Sequence, residues 1–405
     1  MDFTLILRIW MLNTLLENSA LYLNLLSKPH KRYFYDHIDH NDKLIGIFGA
    51  RGVGKTTYIL NYLKNTQLPI NKKLYISADS IELSDTTLVE VAKSFHAIGG
   101  EILAIDEIHK YKNFESELKQ IYDMLPLKVI FSGSSLINLE YAKADLSRRA
   151  VIYRINGLSF REFLEFKTDI KLSSYSLEEI LTNHSEIAFE IVNQIKPLEF
   201  WQEYLECGYY PFYFDNPKKY GIKLNETINT AIEIDIPSIF KIKYEYIINL
   251  KKLVKLICAS KPFTLNIKEL SKKIGIDRET LYLYFDYLHR GKILHVIRSK
   301  SKGDNIFLKP DKVYLNNPNL NHHYCKEASI GMVRETAFAT FLNDYELSIP
   351  KIGDFLIDEK YLFEIGGKKK SFKQIKDIPH SFVVADDIEV GFGNKIPLWL
   401  FGFLY

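Results

Sequence analysis

A glycine-rich segment, GARGVGKTT at residues 49–57, contains the residue types that bind the phosphates of a nucleotide. Its glycines allow backbone N–H groups to point inward around a phosphate, and the N-terminus of a following helix adds partial positive charge. Lys55 would reach the β- and γ-phosphates of ATP, and the Thr56 hydroxyl would coordinate Mg²⁺. The predicted nucleotide-binding residues are Gly49, Ala50, Arg51, Gly52, Val53, Gly54, Lys55, Thr56 and Thr57.

The flanking sequence favours a phosphate-binding loop over a glycine-rich turn without a ligand. The apolar run KLIGIFGA, residues 43–50, predicts a buried β-strand. The run KTTYILNYLK, residues 55–64, has the spacing of apolar residues that is typical of a helix. The motif GxxxxGKT, residues 49–56, therefore falls at a strand-to-helix junction, which is where a Walker A motif lies.

A second apolar run, EILAIDEIHK at residues 101–110, contains the adjacent acids Asp106 and Glu107. In a phosphate-loop ATPase the first acid holds Mg²⁺ through water, and the second polarises the attacking water. Glu107 also argues against a small-molecule kinase, which needs no base to activate water. We interpret His109 as a solvated residue at the start of a helix rather than as a ligand.

A third predicted strand, LKVIFSGSS at residues 127–135, ends in small polar residues. Such a position can carry a polar sensor of the γ-phosphate, for which Ser132 is the first candidate and Ser134 the second. The alternative is that these hydroxyls satisfy the backbone of a turn.

Two arginines, Arg148 and Arg149, come immediately before the predicted strand AVIYRI. An arginine at this position could reach the phosphates of its own subunit or of a neighbouring subunit and stabilise charge in the transition state. Solvation at the surface is the alternative.

The chain resembles the bacterial and archaeal AAA-type ATPases that pair a P-loop domain with a C-terminal domain of unknown function. The motifs that carry the resemblance are GARGVGKTT, ILAIDEIHK, FSGSS, SRR, LSFREFLEF, EYLECGYYP and IEIDIPSI. The resemblance spans most of the chain. It implies an ATPase core, a helical lid, a winged-helix module and a C-terminal domain similar to PD-(D/E)xK nucleases, and it does not fix the physiological role.

The predicted fold class is α/β, with a P-loop parallel sheet and helical lid followed by a winged helix and a small nuclease-like α/β domain. Alternating strand and helix signals predict the sheet. The predicted domains are the ATPase core with an N-terminal helix at 1–155, the lid at 156–245, the winged helix at 246–320 and the nuclease-like domain at 321–405.

The winged-helix prediction rests on three helix-like segments, at residues 248–260, 266–275 and 277–291, which precede a predicted hairpin around Gly303. Helices that read DNA grooves usually display Arg, Lys, Asn or Gln, whereas the third segment also carries acids and several aromatic residues. The basic residues of the wing are Lys300, Lys302 and Lys309. The sequence leaves two roles open for this module, which are contact with DNA and packing against protein.

The C-terminal segment carries three acids, Glu335, Asp354 and Glu364, which could converge on one metal ion as in PD-(D/E)xK nucleases. The expected lysine two residues after Glu364 is replaced by Gly366, although lysines 368–370 follow and could contact a phosphate backbone. We therefore predict a nuclease-like fold that binds DNA or a partner and cleaves slowly or not at all.

The composition bounds the remaining possibilities. The 405 residues, of which 47% are hydrophobic, are enough for two to four domains, and the net charge of +3 gives no global electrostatic argument for nucleic acid. Cys207, Cys258 and Cys325 form no CxxC pair, which argues against a disulfide framework or a zinc site and suits a reducing cytoplasm.

The apolar N-terminal segment, residues 1–26, has Asp2 in place of a basic region, so a signal peptide is not expected. Arg8, Asn13 and Glu17 interrupt it before the ~18 uncharged residues needed to span a bilayer. It predicts an amphipathic helix that packs on the ATPase core, without a membrane partner.

The leading hypothesis is a cytoplasmic, Mg²⁺- and ATP-dependent AAA-type switch or motor that acts on DNA or on a protein, with a homo-oligomer as a possible active form. One alternative is a nucleotide-gated scaffold with little turnover. The other is a DNA nuclease regulated by an ATPase.

Overall fold

The computed structural model describes residues 3–26, 31–134, 146, 148–259, 266–298, 309–325 and 328–405. The chain divides into two compact units, Met1–Asn156 and Gly157–Tyr405. The division falls at the end of the last strand of the first sheet. The finer boundaries within the second unit stay predictions.

The first unit is built on a sheet in which all paired strands are parallel and whose strand order is β2-β3-β4-β1-β5. Parallel strands need crossover connections, and helices supply those that join β1 to β2, β2 to β3 and β3 to β4. The predicted α/β fold with a parallel sheet is therefore confirmed. The strands are β1 Leu44–Gly49, β2 Lys73–Ser77, β3 Ile102–Asp106, β4 Lys128–Ser134 and β5 Val151–Ile155.

Three helices of the first unit, the first, fourth and fifth along the chain, share one hydrophobic core with this sheet. The helix between β2 and β3, Leu88–Ala97, begins with a capping box, in which Thr87 and Glu90 satisfy each other's backbone N–H groups. The helices are α1 Phe3–Leu25, α2 Phe34–His37, α3 Lys55–Asn65, α4 Leu88–Ala97 and α5 Phe114–Met124.

Helix α1 packs on the sheet, as the sequence predicts. Leu12 and Leu15 belong to the core of the first unit. The Ser19 hydroxyl accepts a hydrogen bond of 2.9 Å from the backbone N–H of Tyr75, on the edge strand β2. Among the described residues, no helix combines the length and the apolar character that crossing a membrane requires.

The second unit begins with a helical region in which two helices start with capping boxes. Ser159 and Glu162 cap the first helix, and Ser176 and Glu179 cap the second. The segment LSFREFLEF therefore has a direct structural explanation, because its serine starts a helix whose Phe160 and Phe163 are buried. The helices are α6 Phe160–Thr168, α7 Leu177–Gln194, α8 Pro197–Glu203, α9 Tyr220–Thr230 and α10 Ile236–Phe240.

Three further helices and a β-hairpin follow, in the order that the sequence predicts. Asn266 and Asp277 each cap a helix by accepting a backbone N–H, and Gly275 ends the middle helix with a φ of 84°. Lys309 is exposed, whereas Lys300 and Lys302 lie outside the described residues. The elements are α11 Ile247–Ala259, α12 Ile267–Ile274, α13 Arg278–Arg290 and the antiparallel strands β6 Leu294–Ile297 and β7 Lys312–Leu315.

A disulfide bond joins Cys258, near the end of α11, to Cys325, and the two residues are 67 positions apart in the sequence. The expectation that the cysteines form no disulfide is therefore wrong for this pair. Cysteine count and spacing do not report that α11 packs against the helix that ends beside Cys325. Cys207 carries a free thiol, and burial raises its pKa to about 11.

The C-terminal part of the second unit is a mixed sheet with the order β12-β11-β10-β9-β8. Strands β8, β9 and β10 are antiparallel, and β10, β11 and β12 are parallel. The tight turn between β9 and β10 includes Asp358 and Glu359, both with positive φ. The elements are α14 Pro318–Tyr324, α15 Ile330–Phe341, β8 Leu347–Ser348, β9 Phe355–Ile357, β10 Tyr361–Gly366, β11 Ser381–Ala385 and β12 Lys395–Pro397.

Candidate nucleotide-binding site

The glycine-rich segment forms the connection between β1 and α3, at the carboxyl edge of the parallel sheet. Gly52 and Gly54 have φ values of 82° and 99°, which residues with side chains rarely adopt. A Cβ atom on Gly49 would lie 2.5 Å from the carbonyl oxygen of Ile155. The loop therefore requires glycine at these three positions for backbone reasons.

Lys55, the first residue of α3, turns its ammonium group back into this loop. Its Nζ donates to the carbonyl oxygens of Gly49 at 3.1 Å and Ala50 at 2.9 Å. The side chain is buried, with a relative exposure of 6%. The positive charge is thus positioned inside the loop.

Thr56 and Asp106, the two predicted Mg²⁺ ligands, lie against each other. The Thr56 hydroxyl donates to Asp106 Oδ2 at 2.6 Å, so the first turn of α3 meets the end of β3. Hydroxyl and carboxylate oxygens are the ligands that Mg²⁺ prefers. The residues present therefore fit this ion, with a carboxylate and a hydroxyl beside the phosphate-binding loop.

Four donors hold the carboxylate of Asp106, which is almost fully buried. Besides Thr56, the Tyr75 hydroxyl donates to Oδ2 at 3.0 Å. The backbone N–H of Glu107 donates to Oδ1 at 3.0 Å, and the Ser132 hydroxyl donates to the same oxygen. Burial, and then the charge of Asp106, raise the pKa of Tyr75 far above its usual value, so the phenol remains a donor. The sequence did not single out Tyr75, because it lies on a different strand.

Glu107 follows Asp106 with a backbone φ of 53°, in the left-handed region. For a residue with a side chain this conformation costs about 1 kcal/mol or more and is found most often at functional sites. Its N–H, which also donates to Ser132 Oγ at 3.2 Å, fixes the backbone. The carboxylate lies 3.3 Å from Nε2 of His109.

The side chain of His109 is buried, since only 4% of it is exposed. The interpretation of this residue as solvated is therefore wrong. It lies in a 3₁₀ turn, Ile108–Lys110, that directs the ring inward. Its Nδ1 accepts the backbone N–H of Ser134 at 3.4 Å.

Ser132 lies at the site, and its hydroxyl forms hydrogen bonds with the residues at the end of β3 rather than with the backbone of a turn. In β4, Ser132 is level with Ile47 of β1 and contacts Asp106 and the N–H of Glu107. Ser134 meets the site through its backbone. The role of either residue in sensing the γ-phosphate stays a prediction.

Arg148 and Arg149 lie at the opposite edge of the sheet from the phosphate-binding loop. They precede Val151, which is paired with Ile45 near the start of β1. A strand of this length spans roughly 16 Å. The guanidinium of Arg149 forms two hydrogen bonds with Asp123, at 2.9 and 3.0 Å.

The position of these arginines contradicts contact with the phosphates of their own subunit. Arg148 is exposed, and the ion pair with Arg149 lowers the pKa of Asp123. Contact with a neighbouring subunit stays a prediction.

Arg32 is a further residue of the site that sequence reasoning missed. Its Nη1 donates to the carbonyl oxygens of Val53, in the loop, at 2.8 Å and of Asn156, after β5, at 3.0 Å. The guanidinium lies 4.7 Å from the ring centre of Phe34. Arg32 thereby ties the tip of the loop to the strand beside it. Its place in the aromatic segment KRYFYD was the available signal.

Residues 41–164 match the model of a family described as an AAA domain. The chain contains an AAA domain. The matched segment includes the phosphate-binding loop, the acids at the end of β3 and both arginines before β5. Residues 198–329 match a domain of unknown function, DUF8612.

The AAA domain is part of a longer similarity to an uncharacterized protein, MJ1637 of Methanocaldococcus jannaschii. The two chains are 28% identical over 96% of this chain and 92% of the relative. AMPPCP-bound DnaA from Aquifex aeolicus aligns with 66% of this chain and 87% of its own, at 14% identity and a TM-score of 0.26. A TM-score this low carries no argument about fold or function.

Outside the AAA domain, each of the three C-terminal acids lies against a lysine. Glu335 Oε2 accepts a hydrogen bond of 2.6 Å from the Tyr314 hydroxyl and lies 3.4 Å from Lys312 Nζ. The same ammonium lies 3.6 Å from Asp354 Oδ1. Burial raises the pKa of Glu335, and the charge of Lys312 opposes that effect. Lys312 was not among the predicted residues.

The third acid, Glu364, forms an ion pair with Lys370. The stem of this lysine packs 2.7 Å from where a Cβ atom on Gly366 would lie, so it fills the space left by the missing side chain. Within the described ranges, no three His, Cys, Asp or Glu side chains are grouped so that they could hold a metal ion. The predicted convergence of Glu335, Asp354 and Glu364 on one metal is therefore wrong, because ammonium groups already supply the positive charge there.

Proposed function

We propose that this protein is an ATPase whose AAA domain binds Mg²⁺-ATP and hydrolyses it. The observation that carries the proposal is the hydrogen bond of 2.6 Å between Thr56 and Asp106, formed beside a loop that contains the ammonium of Lys55. A phosphate-binding loop, a hydroxyl and a carboxylate in one place are the parts that phosphoryl-transfer sites share.

In the proposed mechanism, the backbone of the loop, Lys55 and the pair Thr56 and Asp106 have separate tasks. The backbone N–H groups of residues 49–57 and the N-terminus of α3 hold the phosphates. Lys55 leaves the carbonyl oxygens of the loop and donates to the β- and γ-phosphates. Thr56 and Asp106 would hold Mg²⁺, and the ion would supply positive charge to the phosphate oxygens.

Glu107 acts as the base that takes a proton from the attacking water. Its place in the chain directly after Asp106 supports this role. The Ser132 hydroxyl, which contacts Asp106 and the N–H of Glu107, is proposed to report the state of the γ-phosphate to both acids.

The second unit is proposed to transmit the nucleotide state to DNA or to a protein partner. We assign residues 156–245 to a helical lid, 246–320 to a winged helix and 321–405 to a nuclease-like domain. The arrangement of α11, α12, α13 and the β6–β7 hairpin supports the winged-helix assignment. In a homo-oligomer, Arg148 or Arg149 would act on the nucleotide of a neighbouring subunit.

A contact role for the C-terminal domain is favoured over DNA cleavage. Lys312 lies against Glu335 and Asp354, and Lys370 pairs with Glu364. A carboxylate that is paired with an ammonium is a poorer ligand for a metal ion, which metal-assisted hydrolysis requires.

The test of the proposed function is an ATP titration with the Lys55→Ala variant. We expect ATP affinity to fall by about 10- to 100-fold, the loss that corresponds to a hydrogen bond with a charged group. The matched control is Lys64→Ala, which removes an exposed lysine from the last turn of the same helix and should bind ATP normally. Unchanged affinity in the Lys55→Ala variant would exclude the proposed loop as the nucleotide site.

A further inference from the structure

His109 is fixed between two elements of the AAA domain site. It lies in the 3₁₀ turn that follows β3, and its ring reaches the end of β4, where Nδ1 accepts the N–H of Ser134 at 3.4 Å. Its Nε2 lies 3.3 Å from Glu107 Oε2. Nε2 is within reach of this carboxylate, although the contact does not meet the geometry of a hydrogen bond in this structure.

The contact with Ser134 determines which nitrogen of His109 carries the proton. A backbone N–H always donates, so Nδ1 must be the unprotonated acceptor. In a neutral imidazole the single proton is then on Nε2, and Nε2 faces the carboxylate of Glu107. The protonated Nε2 therefore lies 3.3 Å from a carboxylate oxygen of the proposed base. Catalytic hydrogen bonds that are poorly aligned in the empty site tighten when the substrate binds.

The backbone of Glu107 is already held, since its N–H donates to Asp106 Oδ1 at 3.0 Å and to Ser132 Oγ at 3.2 Å. These contacts leave the orientation of the carboxylate to the side chain. A catalytic group performs best when its rotamer is fixed by a neighbouring hydrogen bond before the reaction. His109 is placed to supply that bond.

We propose that His109 is a positioning residue that holds the carboxylate of Glu107, through Nε2–H, in the orientation required for activation of water. The inference rests on the proposed hydrolysis of ATP and extends it to a residue that does not itself touch the nucleotide. Because the ring is bonded to Ser134, the end of β4 controls the orientation of the base.

The experiment compares His109→Leu, which removes the donor, with His109→Gln, whose amide N–H can reach the same carboxylate. In His109→Leu we expect kcat to fall by about 10- to 100-fold, the loss expected for a hydrogen bond to a charged group, with unchanged ATP affinity. His109→Gln should recover part of the rate. The matched control is His37→Leu, which changes an exposed histidine of the same compact unit and should turn over ATP normally.

The outcomes separate this inference from the proposed function. Wild-type kcat in His109→Leu, with activity still lost in Glu107→Gln, would overturn the inference and leave the ATPase intact. Equal loss in the Leu and Gln variants, or loss of ATP binding in both, would indicate a structural role and also overturn it.

A second measurement does not depend on turnover. In a ¹⁵N-histidine spectrum of the full chain, we expect His109 to carry its proton on Nε2, and we expect its signal to shift in Glu107→Gln. If wild-type protein binds ATP without hydrolysing it, the proposed function fails, and this spectrum still decides the contact. A proton on Nδ1, or a signal unaffected by Glu107→Gln, would refute the positioning role.

Discussion

Replacement of Glu107 by Gln is the sharpest test of the proposed chemistry, because the structure predicts what the change leaves intact. The backbone hydrogen bonds of residue 107 to Asp106 and Ser132, at 3.0 and 3.2 Å, do not involve the altered side chain. The amide oxygen of Gln can take the place of the carboxylate oxygen that lies 3.3 Å from His109 Nε2. We therefore expect the site geometry and ATP affinity to persist.

The expected loss is in the chemical step alone. A general base contributes about 10²- to 10⁴-fold to a rate, which corresponds to about 3 to 5 kcal/mol at 1.36 kcal/mol per tenfold change. Lys55, Thr56 and Asp106 are unaltered in this variant, so their electrostatic contribution to the transition state should remain. The loss of kcat should therefore not exceed the contribution of the base.

The assay is ATP turnover in the presence of Mg²⁺, measured together with an ATP titration. The matched control is Glu101→Gln, which changes an acid immediately before β3, at the opposite edge of the sheet. Glu101 forms an exposed ion pair with Lys72 at 2.6 Å, and such pairs contribute about 0–1 kcal/mol. We expect this control to behave as wild type.

Two results would refute the reasoning. Turnover of Glu107→Gln at the wild-type rate would show that another group takes the proton. Loss of ATP binding together with turnover would show that Glu107 supports the structure of the site rather than the chemistry.

Two further predictions concern the arginines and the C-terminal acids. Arg149→Ala should bind ATP and, if the site is shared between subunits, hydrolyse it up to ~10³-fold more slowly. Mixing Arg149→Ala subunits with Glu107→Gln subunits should then restore turnover. A monomeric mass in solution without such rescue would exclude the shared site. Plasmid and linear DNA should stay uncut with Mg²⁺ or Mn²⁺, with or without ATP, because Lys312 lies against Asp354 and makes it a poorer metal ligand. Robust cutting that disappears in the Asp354→Ala variant would instead identify a nuclease.

The sequence determined those features that depend on residues close together in the chain. A run of β-branched and aliphatic residues followed by GxxxxGKT predicts the strand, loop and helix around residues 44–65, since positive φ at Gly52 and Gly54 is a local property. The capping boxes and the acids at the end of β3 are local for the same reason. Parallel pairing of the first five strands also follows from alternating strand and helix signals.

The tertiary structure alone decided which distant residues meet these motifs. The Tyr75 hydroxyl contacts Asp106 because β2 pairs with β3. Arg32, which precedes β1 in the chain, donates to the carbonyl oxygen of Val53 in the phosphate-binding loop. His109 is buried because a 3₁₀ turn directs its ring toward β4, although the chain around it reads as polar. None of these contacts has a signature in the spacing of residues along the chain.

The C-terminal acids and the cysteines show the same limit. Lys312, on a strand that precedes both acids in the chain, lies against Glu335 and Asp354. Lys370 packs its stem on Gly366 and forms an ion pair with Glu364. Cys258 meets Cys325 because two helices pack together. The sequence supplies the charges and the thiols, but packing in three dimensions determines which charge each acid faces and which thiol each cysteine meets.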